Sequence, residues 1–205
     1  MMRASARSLI GVCGGSVGMS SVQYRLSSQK VFFAKLQWKM FQEKLDSAEF
    51  PGDFIQAECF LQAYLLFLDQ ALWAIGMEVA GPYDLPLDDC SRLYPSSVEM
   101  LRHIDDCLQQ VEVKSPEISR IILAQNDPSN RLYWLLQLVQ HARGDDLSAK
   151  FNLRRLKEAS QGNQILLSEA SSSPEQGRVS IEFLGSFAHE VDGLIAALRN
   201  SLQEY

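Results

Sequence analysis

Three polar side chains in an otherwise apolar stretch, Glu58, Gln62 and Asp69, are the residues of this chain with the clearest capacity for chemistry. Two carboxylates in an apolar interior can have raised pKa values, bind a metal or act as an acid–base pair. On a helix turning ~100° per residue the three project close together as one narrow stripe. Glu58 and Asp69 are nevertheless about 16 Å apart along such a helix, too far to share one proton or one metal. The Glu-x-x-His arrangement of di-iron bundles is also missing, because position 61 is Leu. The stripe is therefore expected at a bundle edge, wet or paired with Lys or Arg from a neighbouring helix. Its alternative use is as the polar lining of a small-molecule or catalytic pocket.

Other spacings suggest chemistry and then fail on context. Gly14-Gly15-Ser16-Val17-Gly18 fits the G-x-S-x-G elbow of a nucleophilic serine, but that turn needs a strand before it and a helix after it. Gly11, Gly14 and Gly18 do not meet the G-x-G-x-x-G spacing of a dinucleotide loop, and no βαβ unit follows. Cys90, His103 and Cys107 have half the spacing of a zinc site, without the nearby Cys pair that a four-ligand site wants. His103, His141 and His189 fall on three separate expected helices. No catalytic residue, metal ligand or cofactor is expected, and the chain is read as not an enzyme.

The polar stripe needs a helix to carry it, and Phe54 to Gly81 supplies one. Phe54, Leu61, Leu68 and Ile75 form one seven-residue step, and Leu65, Leu72 and Val79 form another. A third row, Phe60, Tyr64, Phe67, Ala71 and Ala74, leaves the helix apolar around most of its circumference. Such a helix is the centre of a bundle or a membrane span. An Asp near the middle of a span costs roughly 2.5–3.5 kcal/mol on the insertion scale, and Glu58, Gln62 and Gln70 add to that. The reading is a buried bundle helix and no transmembrane segment.

A second long helix is expected from Ser21 to about Ala48. Val22, Leu26, Phe33, Leu36 and Met40 make one apolar stripe on it; Val31, Ala34, Trp38, Phe41 and Leu45 make another on roughly the opposite side. Two stripes imply neighbours on both sides, in a bundle or an oligomer seam. Residues 19–45 also hold five cations, Arg25, Lys30, Lys35, Lys39 and Lys44, against the one acid Glu43. That balance offers residues 22–45 as a peripheral membrane-binding segment. Their spread around the helix favours solvated flanks between two packed stripes instead. Phe50-Pro51-Gly52-Asp53 reads as the turn joining the two helices into an antiparallel hairpin, with Asp53 as N-cap, and Gly81-Pro82 ends it.

Residues 82–95 read as an irregular connection, after which Ser96-x-x-Glu99 opens a helix to about Val111 with Val98, Leu101, Ile104, Leu108 and Val111 inward. Ser115-Pro116-Glu117 starts a short helix, and Ser129 caps the next, which buries Leu132, Leu135, Leu136 and Val139. A helix from Asp145 to about Ala159 has Leu147, Phe151 and Leu156 inside. A linker follows around 160–178, with Ile165-Leu166-Leu167 as a strand lacking a partner. The final helix, about Ser180 to Gln203, carries the cleanest seam in the chain: Leu184, Phe187, Val191, Leu194, Leu198 and Leu202.

Composition bounds the rest. A chain of 205 residues with 46% hydrophobic content supports one ordinary domain with a real core. A net charge of −6 argues against indiscriminate nucleic-acid binding, so no nucleic-acid partner is expected. Cys13, Cys59, Cys90 and Cys107 show no short pairing motif, which favours a reducing cytoplasm. Residues 1–18 have two arginines, no acid and a Gly- and Ser-rich run; they are read as a disordered or mis-assigned extension before Met19.

The hairpin sequences YRLSSQKVFFAKLQ and QAECFLQAYLLFLDQALWAIGMEVAGPYDLP, followed by the amphipathic C-terminal helix, resemble a family of short uncharacterised proteins from pseudomonads and related gammaproteobacteria. The resemblance spans Tyr24 to Pro86 and the last helix. It implies a bacterial, soluble, helical protein whose homologues begin near Met19, and it brings no catalytic residues.

The expectation is a single all-α domain over 19–205, a bundle of about six helices built on the long hairpin. The leading function is a non-enzymatic cytoplasmic protein that binds another protein or itself through Val31, Trp38, Phe41 and Leu45 together with Leu184, Phe187, Val191, Leu194 and Leu198. The polar-stripe pocket and the peripheral membrane role of residues 22–45 are the alternatives.

Overall fold

The computed structural model describes residues 19–83, 85, 96–144, 152–160 and 180–203. Among these the fold is all-α, with seven helices and no strand. They are α1 (Met19–Ser47), α2 (Pro51–Ala80), α3 (Ser97–Gln110), α4 (Pro116–Ala124), α5 (Arg131–Arg143), α6 (Leu153–Ser160) and α7 (Ile181–Gln203), with a 3-10 turn at Gly81–Tyr83. The expectations for residues 1–18, the connection at 86–95, Ile165-Leu166-Leu167 and the linker around 160–178 lie outside the described residues, apart from Ser160.

The hairpin turn is built by Pro51, whose fixed φ and missing N–H suit the first helical position. Asp53 is therefore not the N-cap but sits in the first turn. Its carboxylate accepts the backbone N–H groups of Phe50 (3.0 Å) and Glu49 (3.1 Å), donors left free at the helix start. Those two bonds hold its pKa below the usual carboxylate value.

α1 and α2 form the largest interface of the bundle. The stripe Val31, Ala34, Phe41 and Leu45 is fully buried between α2 and α7, with the indole of Trp38 tilted against Phe41 (5.1 Å) and Tyr64 (5.0 Å). The seam of α7, Leu184, Phe187, Val191, Leu194 and Leu198, closes the same core. Gly185 lets α7 approach: a Cβ there would stand 3.0 Å from the Trp38 ring. At Gly76 of α2 a Cβ would meet Met100, Leu101 and Ile104 at 2.5, 2.9 and 3.0 Å, so α3 packs directly on that backbone.

Local chemistry explains the shorter elements. The Ser96 hydroxyl accepts the Glu99 N–H at the start of α3, and Ser115 does the same for Ile118 at the start of α4. Asn130, not Ser129, caps α5 by accepting the Leu132 N–H at 2.9 Å. Ser129 is already engaged, giving both its N–H and its hydroxyl to Asp127. Val111 lies past the end of α3 and is exposed rather than inward. Of the helix expected from Asp145 to about Ala159, residues 145–151, Leu147 and Phe151 among them, lie outside the described residues; α6 begins at Leu153, where Asn152 accepts the Arg155 N–H, and buries Leu156. Lys157 on this α6 donates to the Asp46 and Ala48 carbonyls at 2.7 and 2.8 Å, tying α6 to the end of α1.

Among the described residues Pro51–Tyr83 is the one stretch long and apolar enough to cross a bilayer, and 56% of its most apolar window is buried inside the bundle.

Candidate functional site

The polar stripe of α2 points toward α3 and α5, and the structure gives each member a different task. Asp69 is buried, one carboxylate oxygen accepting the Ser97 hydroxyl at 2.6 Å and the other the Arg143 guanidinium. Ser97 opens α3 and Arg143 ends α5, so this one carboxylate fastens three helices. The Gln62 side-chain amide donates to the Ala142 carbonyl at 2.7 Å, satisfying a backbone acceptor in the last turn of α5. Glu58 stands apart, half-buried on an open depression of about 350 Å³ lined also by Phe54, Ile55, Asn152, Leu153 and Arg154. The three side chains share a helix face but not a site. Two of them are engaged by the fold itself, Asp69 with Ser97 and Arg143 and Gln62 with a backbone carbonyl.

The remaining candidates resolve in the same way. His103 and Cys107 lie one turn apart on α3 with Nε2 and Sγ 3.6 Å apart, while Cys90 is outside the described residues. Among the described residues no three His, Cys, Asp or Glu side chains are grouped to hold a metal. His141 is on α5 and the exposed His189 on α7. Gly14 to Gly18 lie outside the described residues.

Two buried polar groups had no signal in the spacing. Tyr64 is fully buried, its hydroxyl donating to the Leu184 carbonyl (2.8 Å) and accepting the Ala188 N–H (3.2 Å), so it splices α2 to α7; burial pushes its pKa up. Glu78, at the far end of α2, accepts the Ser27 hydroxyl of α1 with one oxygen, while the other is buried without a hydrogen bond. Burial raises its pKa, against the opposing pull of the Ser27 bond and the positive Arg199 of α7. Arg199 itself donates to Ser28 at 2.6 Å. A glutamate inside an apolar run carries a signal of burial, but its partners come from residues 51 and 121 positions away.

The interaction seam expected from the sequence is internal. Val31, Phe41, Leu45, Leu184, Phe187, Val191, Leu194 and Leu198 are buried and Trp38 is mostly covered, so none of them offers a surface. The opposite stripe of α1 is the one left open. Leu26, Phe32, Leu36 and Met40 are 37%, 58%, 45% and 39% exposed along one side of the helix. Phe33, on the same side, leans onto Phe67 of α2 with ring centroids 5.5 Å apart. Lys30 lies over that Phe67 ring at 5.6 Å.

No curated protein and no solved structure matches this chain. A family model does, over residues 23–205, covering the hairpin, the middle helices and the C-terminal seam. The chain belongs to that family, DUF6586, a family of unknown function.

Proposed function

We propose that this is a non-enzymatic binding protein of the bacterial cytoplasm that works by docking a macromolecular partner on the outer face of α1. The observation that carries the reading is the row Leu26, Phe32, Leu36 and Met40, large apolar side chains left exposed at helical spacing. Single exposed apolar residues are ordinary, whereas a contiguous row on one helix face marks a contact surface. The expected protein-binding seam is spent on the core, so the docking surface moves to the other side of the same helix. A pocket built on Glu58, Gln62 and Asp69 finds no such support, because Asp69 and Gln62 already serve as ties between helices. The free thiols of Cys59 and Cys107 are in keeping with a reducing compartment.

The test is the size distribution of the native protein in host extract, compared between wild type and Leu36→Glu/Met40→Glu. Both positions are exposed, so the double variant should keep its helical spectrum and melting temperature. Wild type is expected in particles well above the 23.1 kDa of the chain, and the variant as the free chain. Identical migration of both proteins as free monomer, in extract that retains its membranes, overturns the docking reading.

A further inference from the structure

The outer face of α1 is distinguished by charge as well as by apolarity. Residues 19–47 carry the five cations Arg25, Lys30, Lys35, Lys39 and Lys44 and two acids, Glu43 and Asp46, in a chain whose net charge is −6. At ~100° per residue, Lys30 and Lys44 fall on the α2 flank of the exposed row and Lys39 on its α7 flank. Lys35 lies deeper on the α7 side and is paired with Asp192. By the same geometry Glu43 falls within the arc of the row, 3.8 Å from Lys39, and the exposed Asp46 falls on its α7 flank. Across the α2 flank, where Lys30 lies over the Phe67 ring, the register that sets Phe33 on Phe67 brings Phe60 level with Met40, and both α2 rings are partly exposed.

Resting on the docking reading, we propose that the occupant of this face is the surface of an anionic phospholipid membrane, with α1 lying flat in the headgroup layer. An exposed apolar row with lysines on both flanks matches such an interface: the row enters the acyl boundary, and the flexible lysine stems let their ammonium groups reach lipid phosphates. Neither of two open depressions among the described residues, one beside Glu58 and one around Val113, is lined by a residue of the row. A second copy of the chain fits poorly, since turning the face on itself sets lysines against lysines. Outside α1 the described protein also has the basic α6, with exposed Arg154 and Arg155, but the leucines of that helix, Leu153 and Leu156, are buried, so α1 is the helix that joins cations to an exposed apolar row.

The experiment is flotation of the full chain with vesicles of equal parts phosphatidylglycerol and phosphatidylcholine, against vesicles of phosphatidylcholine alone. At low salt the wild type is expected to float with the anionic vesicles, to bind the neutral ones far less, and to lose binding as salt is raised. Phe32→Ser/Leu36→Glu/Met40→Glu should abolish flotation. Lys30→Gln/Lys39→Gln/Lys44→Gln should weaken partitioning roughly fivefold for each lysine removed and flatten the salt dependence. Failure of the wild type to float at any salt concentration, or flotation of the apolar-row variant as good as wild type, overturns the lipid assignment. If flotation fails while Leu36→Glu/Met40→Glu still shifts the particle size in extract, the membrane is rejected and the docking face survives with a protein partner. If neither assay responds, both readings fall.

Discussion

The two faces of α1 make an instructive pair. Val31, Ala34, Phe41 and Leu45 on one side, and Leu26, Phe32, Leu36 and Met40 on the other, are both apolar sets that recur at helical spacing. The first set is fully covered by α2 and α7, and the second is left more than a third exposed. Periodicity reports that a helix is apolar on a side; it does not report what lies against that side. The inner face holds the bundle together. The outer face contributes little to that, so its apolar character calls for a reason outside the fold.

The contrast is tested hardest at Phe41. Truncation to Ala removes a fully buried ring packed on Trp38, and the site is hemmed by two helices that cannot collapse freely into the gap. A loss of about 3–5 kcal/mol is expected, read from the urea midpoint at unchanged m-value. A loss below about 1 kcal/mol would mean that the inner face is no better packed than the outer one.

A second test lies where the inner face ends, at Ser27 and Glu78. The raised pKa of Glu78 means that the folded protein holds a proton which the unfolded chain, with an ordinary value of 4.5, has already released. Between 4.5 and the raised folded value the native state binds more protons, so this group's contribution to stability is full below 4.5 and is lost as pH rises through the folded pKa. Glu78→Gln keeps an acceptor for Ser27 and cannot titrate. Its stability relative to wild type should therefore climb with pH across that window, in denaturation midpoints taken at a series of pH values. A difference that stays flat, or falls, would show that Arg199 compensates the carboxylate completely.

Much of this architecture was readable in the chain. The hairpin, the helix starts at Ser96 and Ser115, and the closing seam of α7 all follow from period, caps and turn residues, which act within a few positions. Of the polar stripe, read as wet or paired with Lys or Arg of a neighbouring helix, Asp69 does meet Arg143, because a carboxylate in an apolar helix has few stable alternatives; that it is buried and also takes the Ser97 hydroxyl had no signal in the chain. Three other things were not readable. Asp53 and Ser129 have the right chemistry for caps, but the N-cap positions fall at Phe50, three residues earlier, and Asn130, one residue later, and shifts of this kind are decided by competing local bonds. The choice between the stripes of α1 depends on where α7 lands, some 150 positions later. The tie between Tyr64 and α7 likewise joins residues over a hundred positions apart, with no local signature.

A smaller effect is expected at the junction of α1 with α6. The Lys157 ammonium donates to two carbonyls at the end of α1, where helical acceptors lack partners and the helix dipole favours a cation. Replacing it with Met keeps the stem and removes the donors. The cost should be about 1 kcal/mol, since water can reach a half-buried site and replace part of what is lost. The effect should appear first as faster amide exchange in the last turn of α1. Exchange unchanged at Lys44 to Ser47 would show that this end of the inner face is held by packing alone.

The smallest effect is expected at the centre of the outer face. Leu36→Lys and Met40→Lys replace side chains that are 45% and 39% exposed by one of nearly equal helix propensity, whose apolar stem keeps much of the covered contact, and leave no orphaned polar group. Each should move stability by no more than about 0.5 kcal/mol in either direction. A loss of about 2 kcal/mol or more at either position would mean that the row is covered in the free chain, for instance by a part of the protein outside the described residues. The comparison between the faces would then reduce to two halves of one core. A neutral result leaves a helix that spends four large apolar side chains on solvent without benefit to its own fold, which is the condition under which a docking role has to account for them.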